Sequence, residues 1–344
     1  MSHHTYLEWV LSNTKTEWWH DSADLAELQV GLDRGAVGVT TNPFLSNLAV
    51  QKYKNQWAAE ISPILAQNLA PEPKAEALMR VAVTKCAEML VPVYEKTARR
   101  MGYVCAQVNP NRAGDRAAME AMARRFHAWA PNIAVKLPCT LAGLDVMEDC
   151  VADGITITMT VSFTTPQALA IAERHRKGCE RARQKGIEPG KCFAVIMIGR
   201  LDDYLREVAQ DNRAPVTESD IQQAGLAATK RAYEIYKQKN YEAVLLVAAL
   251  RGPYHLTELA GAELVMSIAP APQAWFVEKD YPREPRIGNP VPKDVIDRLR
   301  TMPEFVRAYE PDGMQPEEFV SYGVTQRTIA QFIEAGWKLL EGTK

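Results

Sequence analysis

ITITMTVSF, residues 155–163, alternates without a break: Thr156, Thr158, Thr160 and Ser162 share one face, and Ile155, Ile157, Met159, Val161 and Phe163 share the other. A period of two belongs to a β-strand, whose successive side chains point to opposite faces. In a barrel strand one face looks inward and the other meets the surrounding helices, so the alternation assigns the hydroxyl face to the interior. The centre of an ordinary parallel barrel is filled with branched apolar residues. A hydroxyl-lined interior therefore points to a polyhydroxylated ligand, or to threonines that satisfy one another.

Outward from this strand, short apolar runs alternate with helical patterns, the rhythm of βα units on a parallel sheet. The strand candidates are Glu17–His20, Ala36–Thr41, Tyr103–Val108, Ile133–Pro138, Thr156–Phe163, Cys192–Gly199, Ala243–Val247 and Leu264–Ile268. Helical stretches separate them at Asp24–Arg34, Arg116–Trp129, Ala142–Ala152, Pro166–Gly186, Glu218–Lys239 and Tyr254–Leu259. Eight strands so spaced predict an α/β protein, a single (β/α)8 barrel over residues 1–344. At least two extra helices fall between Pro43 and Arg100, the second over Ala75–Arg99. A C-terminal helical extension covers 270–344, with a proline-rich connector, KDYPREPRIGNPVP, and helices near Lys293–Arg300 and Gln326–Leu340. That extension is expected to cap the barrel or to meet a second subunit.

Bulk properties exclude several classes. The 344 residues are 47% hydrophobic and 24% charged, an ordinary globular balance. A formal charge of −2 gives no reason to expect nucleic acid or an anionic membrane as partner. Cys86, Cys105, Cys139, Cys150, Cys179 and Cys192 form no CxxC pair and sit in or near apolar runs, so reduced thiols packed as small hydrophobes are expected. The N-terminus MSHHTYLEWVLSNTK lacks a long apolar run, and no stretch reaches the ~18 apolar residues of a membrane span. A cytoplasmic setting is the resulting expectation.

Lys136, in NIAVKLPCT, has apolar neighbours on both sides. Alternation puts Ala134, Lys136 and Pro138 inward, near the C-terminal end of the strand, where barrel enzymes keep their chemistry. Desolvation disfavours the ammonium form and favours a neutral, nucleophilic amine. A buried lysine neutralised by a carboxylate such as Asp21 is the other reading, and the strand alone does not choose. Asp21, in WWHDSAD, suits a general base acting on a hydroxyl; it could also cap the next helix, as could Ser22 or Asp24. Asn42, in GVTTNP, suits a hydroxyl ligand or a plain turn residue before Pro43.

Taken in order, these segments resemble the transaldolase family, which includes the fructose-6-phosphate aldolases. The resemblance runs through DSAD (21–24), GVTTNP (38–43), AQV (106–108), VKLPCT (135–140), GITITMT (154–160), GRLDD (199–203), AGAELVMSIAP (260–270) and the segment 312–341. Each motif alone is weak; their order and spacing, with a lysine on the fourth strand, make the joint signal strong. The resemblance implies that Lys136 forms the imine, Asp21 is the acid/base group, Asn42 binds a hydroxyl and Thr160 helps hold a catalytic water. It implies that Arg200 and Arg251 bind a substrate phosphate. Departures accompany it: Gln107 stands where transaldolases carry glutamate, as in the aldolases, and an amide orients water without taking its proton. Met197 replaces the aldolases' tyrosine, Thr158 the usual asparagine and Ala249 the usual serine of the phosphate site.

The implied function is transfer of a three-carbon dihydroxyacetone unit between sugar-phosphate aldehydes through a Schiff base on Lys136. The alternatives are an aldolase that releases the fragment, and a non-catalytic sugar-phosphate-binding barrel. No cofactor and no metal are expected, because the iminium supplies the activation that zinc supplies elsewhere. The expected partners are small ketose and aldose phosphates; the family commonly self-associates, so a homo-oligomer is also among the expectations.

Overall fold

The computed structural model describes residues 5–344. Eight parallel strands close into a barrel in sequence order, β1 (Glu17–His20), β2 (Gly38–Val39), β3 (Tyr103–Gln107), β4 (Ile133–Pro138), β5 (Ile157–Thr160), β6 (Cys192–Met197), β7 (Val244–Ala248) and β8 (Val265–Ile268), with β8 pairing back to β1. Every residue of β4 and of β5 is buried, as strands covered by neighbours, helices and the barrel interior require. Register places Gln107 beside Lys136, Lys136 beside Thr158, and Pro138 beside Thr160.

β2 and β5 fall furthest short of their apolar runs, and β6 ends at Met197, where Ile198 opens a helix. β2 ends at Val39 because Thr41 turns its hydroxyl to the Cys105 carbonyl (2.6 Å) and its own carbonyl to the Lys136 amine (3.0 Å). β5 stops at Thr160 because Val161 adopts φ 55°, a left-handed conformation costly for a β-branched residue. Among the helices, the predicted Glu218–Lys239 is two, Glu218–Ile221 and Ala224–Gln238, broken where the Gly225 amide donates to Asp202 Oδ1 at 2.8 Å. The region 43–100 holds three, Pro43–Tyr53, Ala58–Ala66 and Pro71–Lys96. No described helix is long and apolar enough to cross a membrane, and all six cysteines are free and buried.

The interior is layered. Trp19 and Phe193 meet edge-on with centroids 4.5 Å apart, and Phe193 leans on Tyr103 at 5.6 Å, forming an aromatic floor. Below it, at the N-terminal end of the barrel, Tyr103 and Phe193 also wall a cavity of about 920 Å³ that Glu17, Thr156 and Val244 line. Thr156, on the hydroxyl face of the fifth strand, therefore belongs to the underside of the barrel. The C-terminal segment covers the opposite end: Gly323–Phe332 continues through a π-turn at Ile333–Trp337 into Lys338–Glu341. Trp337 is fully buried, and a Cβ on Gly336 would lie 2.6 Å from the Phe44 amide, so only glycine lets this turn seat on the helix Pro43–Tyr53.

Candidate active site

The C-terminal ends of the strands gather the residues that the sequence singles out. Lys136 rises from β4 and is 6% exposed; its Nζ donates to the Thr41 carbonyl at 3.0 Å, and among the described residues no carboxylate forms an ion pair with it. The alternative of a lysine neutralised by Asp21 thus lacks its salt bridge, although the two charges are close enough to interact. Solvent reaches this end of the barrel: Asp21, Asn42, Arg200, Ala248 and Ala249 around it are all half-buried.

Asp21 follows β1, and its Oδ1 accepts from the Thr40 hydroxyl at 2.6 Å. Thr40 in turn shares a 2.6 Å hydrogen bond with Ser267 of β8. Burial raises the Asp21 carboxyl above the ordinary carboxylate value, opposed by the Thr40 hydrogen bond and by the charges of Lys136 and Arg200. A carboxyl perturbed by burial in this way is a candidate for acid/base work. Capping falls to its neighbour: Asp24 accepts from the Ala26 and Glu27 amides at the start of Leu25–Asp33. Asn42 does both things that its sequence position allows, because its Oδ1 caps Pro43–Tyr53 through the Leu45 amide (2.9 Å) while its amide nitrogen has no protein partner.

Buried polar atoms almost always find a partner inside a protein. Here Gln107 Oε1 and Thr160 Oγ1 are buried with none, Gln107 in register with Lys136 on β3 and Thr160 in register with Pro138 on β5. Two other hydroxyls of the fifth strand are satisfied internally: Cys105 Sγ donates to Thr158 Oγ1 at 3.5 Å, and Ser162 Oγ donates to the Val195 carbonyl at 2.6 Å. The reading in which the hydroxyls satisfy one another therefore fails at Thr160.

The two arginines differ. Arg200 opens the helix Ile198–Asn212; its Nη1 donates to Gln331 (2.6 Å) and Thr328 (3.4 Å) of the C-terminal segment, and its buried Nε has no partner. Burial, and then the nearby charge of Arg251, lower its pKa from the usual arginine value. Arg251 is exposed, with Nε and Nη2 on Asp203 Oδ2 at 2.8 and 2.7 Å. Met197 ends β6, 7% exposed, and Ala249 follows β7 with φ 62°. Left-handed Val161 and Ala249 both lie just beyond strand ends at this mouth, where backbone strain accompanies function.

Sequence reasoning missed Thr40, Ser267, Asp203 and the tail's Thr328 and Gln331. Alternation could have found two of them: Thr40 shares parity with Gly38, and Ser267 is the one polar residue of VMSI. The rest are tertiary partners with no local signal.

Comparison with known proteins agrees with this geometry. A family model described as Transaldolase/Fructose-6-phosphate aldolase matches residues 18–339. "Transaldolase 2" of Streptomyces avermitilis is 28% identical over 222 residues, covering 63% of this chain and 58% of that protein. "Transaldolase" of Neisseria gonorrhoeae is 27% identical over 241 residues, covering 67% and 66%. "Transaldolase" of Thiobacillus denitrificans is 26% identical over 326 residues, covering 89% and 87%. The chain thus spans less than two thirds of the first two relatives and most of the third. With a match over nearly its whole length, an eight-stranded barrel and a buried inward lysine on β4, the chain belongs to the transaldolase/fructose-6-phosphate aldolase family.

Proposed function

We propose that the chain is a Schiff-base transaldolase with Lys136 as nucleophile. The neutral amine attacks the ketose carbonyl, and loss of water leaves an iminium that withdraws electrons from the adjacent carbon–carbon bond. Asp21 removes the proton of the hydroxyl beyond that bond, the bond breaks, and an aldehyde leaves. The three-carbon remainder stays on Lys136 as an enamine until a second aldehyde adds to it, with Asp21 returning the proton. Gln107 and Thr160 orient the water that is released and taken up, while Asn42 and Thr158 bind donor hydroxyls. Arg200 and Arg251 face the phosphate end of the substrate.

One observation carries this reading: a buried amine without a carboxylate partner, at the solvent-reached end of the barrel, beside two buried polar atoms that nothing in the protein satisfies. A lysine kept for structure would be paired, and so would its neighbours. Borohydride reduction in the presence of a ketose is expected to leave a substrate adduct on Lys136, located by peptide mass. No adduct across ketoses of three to seven carbons would remove the proposal in favour of a sugar-binding barrel.

A second reading, an aldolase that frees the three-carbon fragment, draws on Gln107, which matches the aldolase branch. Met197 speaks against it, because that side chain offers no hydroxyl where the aldolases carry tyrosine. Free dihydroxyacetone measured with and without an acceptor aldehyde separates the two.

A further inference from the structure

The two arginines of the anion end are not equally available. A guanidinium grips phosphate or carboxylate best through its Nε–Nη2 edge, which presents two parallel N–H groups. On Arg200 that edge has no partner among the described residues, since Gln331 and Thr328 hold only Nη1. On Arg251 the same edge is filled by Asp203, and its Nη1 donates to the Ala249 carbonyl at 3.0 Å.

Neighbouring groups position both members of this pair. Asp203 is held from its other oxygen by Arg206 at 3.1 Å, and Arg206 is itself gripped by both oxygens of Glu218 at 2.8 Å. The Arg251 backbone is pinned as well. Its amide donates to His255 Nδ1 at 3.1 Å, which leaves the His255 Nε2–H to donate to the fully buried Asp202 at 2.9 Å. The Arg251 side chain also lies over Gly199, where a Cβ would come within 2.4 Å of Arg251 Cγ. Arg251 is thus fixed, and fixed onto a carboxylate.

We propose that Asp203 is a specificity-determining residue: a built-in counter-ion that neutralises Arg251, leaving Arg200 as the single open ligand for the donor's far end, so that the enzyme selects phosphorylated ketoses only weakly over unphosphorylated ones. The inference rests on the Schiff-base reading above. A phosphate monoester carries about −1.5 to −2 charges at neutral pH, which one free guanidinium matches incompletely. Ala249 removes a further contact, since it has no hydroxyl to offer. Because Arg251 and Asp203 are each more than a third exposed, at 38% and 37%, the effect should be near tenfold rather than thousandfold.

The test compares D-fructose 6-phosphate with D-fructose as donors, read as the ratio of their kcat/KM values. In the wild type the ratio is expected below about 10, and Asp203→Asn should raise it by about tenfold. A wild-type ratio above about 100, or a rise under threefold in Asp203→Asn, overturns the inference. Should Asp203→Asn fail to fold, the double variant D203N/R251M decides: removing a neutral pair keeps the ratio within threefold of wild type, and a larger fall means that Arg251 does grip the phosphate. Borohydride trapping of wild type keeps the two proposals apart. No adduct with either ketose overturns the Schiff-base reading and this inference with it, whereas an adduct with an unmoved ratio overturns this inference alone.

Discussion

Replacing Lys136 with methionine separates a catalytic lysine from a structural one, because the two predict stability changes of different size. The unbranched thioether nearly fills the volume of the lysine stem, so no large cavity opens. What is lost is the 3.0 Å hydrogen bond from Nζ to the Thr41 carbonyl. Leaving that carbonyl unpaired costs roughly 1–2 kcal/mol. What is gained is release from burying a polar nitrogen that is 6% exposed and has no carboxylate partner, roughly 1–3 kcal/mol even for a neutral group and more for a charged one. The balance lies between a destabilisation of about 1 kcal/mol and a stabilisation of about 2 kcal/mol. In a chain this long that moves Tm by only about 2 °C. Turnover should fall at least ~10⁴-fold, since the covalent step has no substitute nucleophile, and borohydride should trap nothing. Urea unfolding, kcat and adduct mass make the assay. Loss of more than about 3 kcal/mol, the penalty for breaking a buried charge pair, would show Lys136 to be held by a partner and refute the reasoning. So would residual activity above ~1% of wild type, given the size expected for covalent catalysis.

Asp21→Asn is expected to raise Tm while kcat drops roughly 10²–10⁴-fold; because burial raises the Asp21 pKa, ionised Asp21 weakens the fold as pH rises through the window between the ordinary value and the raised one, and the variant's stability should lose that slope. The same shift places the acid limb of wild-type kcat/KM above the ordinary carboxylate range, and a limb near 4 would contradict it. Thr160→Val removes a hydroxyl without an internal hydrogen bond, so the urea midpoint should stay or rise slightly while kcat/KM falls roughly 10–100-fold through loss of water orientation; equal loss of both would make Thr160 structural. Burial lowers the His20 pKa to about 4 from 6.5, so its contribution is complete above pH 6.5 and is lost as pH falls toward 4, on the order of 3 kcal/mol. His20→Asn, which keeps an acceptor for Gln273 at the Nδ1 position, should flatten that acid-side loss in unfolding measured at pH 7 and pH 5.

The barrel was legible because buried parallel strands leave continuous apolar runs: Glu17–His20 and Ile133–Pro138 are read from sequence with the bounds that they have in the fold. The reading fails where an apolar run continues past the strand. Ile198 and Gly199 extend the run of β6 but open the helix Ile198–Asn212, and periodicity over so few residues cannot tell the two apart. The helix Tyr6–Asn13, capped by Thr5 and Glu8, is only eight residues long and precedes the first βα unit, so the strand–helix rhythm does not announce it. The site shows a similar division. Alternation on a single strand is enough to aim Lys136 and Thr160 inward. That Asp203 holds Arg251, 48 positions away in sequence, depends on how two loops meet, and no local pattern carries it.

The departures from the family pattern follow a rule once they are seen in space. Lys136 and Asp21, which form and break the bond in the proposed mechanism, and Asn42 and Thr160, which match the family pattern beside them, occupy β4, the end of β1, the turn after β2 and β5. Of the residues that differ, Gln107 ends β3, Thr158 lies on β5 beside Lys136, Met197 ends β6 and Ala249 follows β7. The first of these touches the handling of protons and water, and the last borders the anion end where Asp203 already fills Arg251. On the proposed reading, divergence keeps Lys136 and Asp21 and alters residues around them. An enzyme that had lost catalysis would have little reason to keep a buried amine without a carboxylate partner near the unsatisfied Gln107 and Thr160, since a hydrophobic replacement would relieve their burial. Two unsatisfied polar atoms near a buried amine argue for a barrel still performing carbon–carbon chemistry, on a donor whose far end, by the inference above, it grips less firmly.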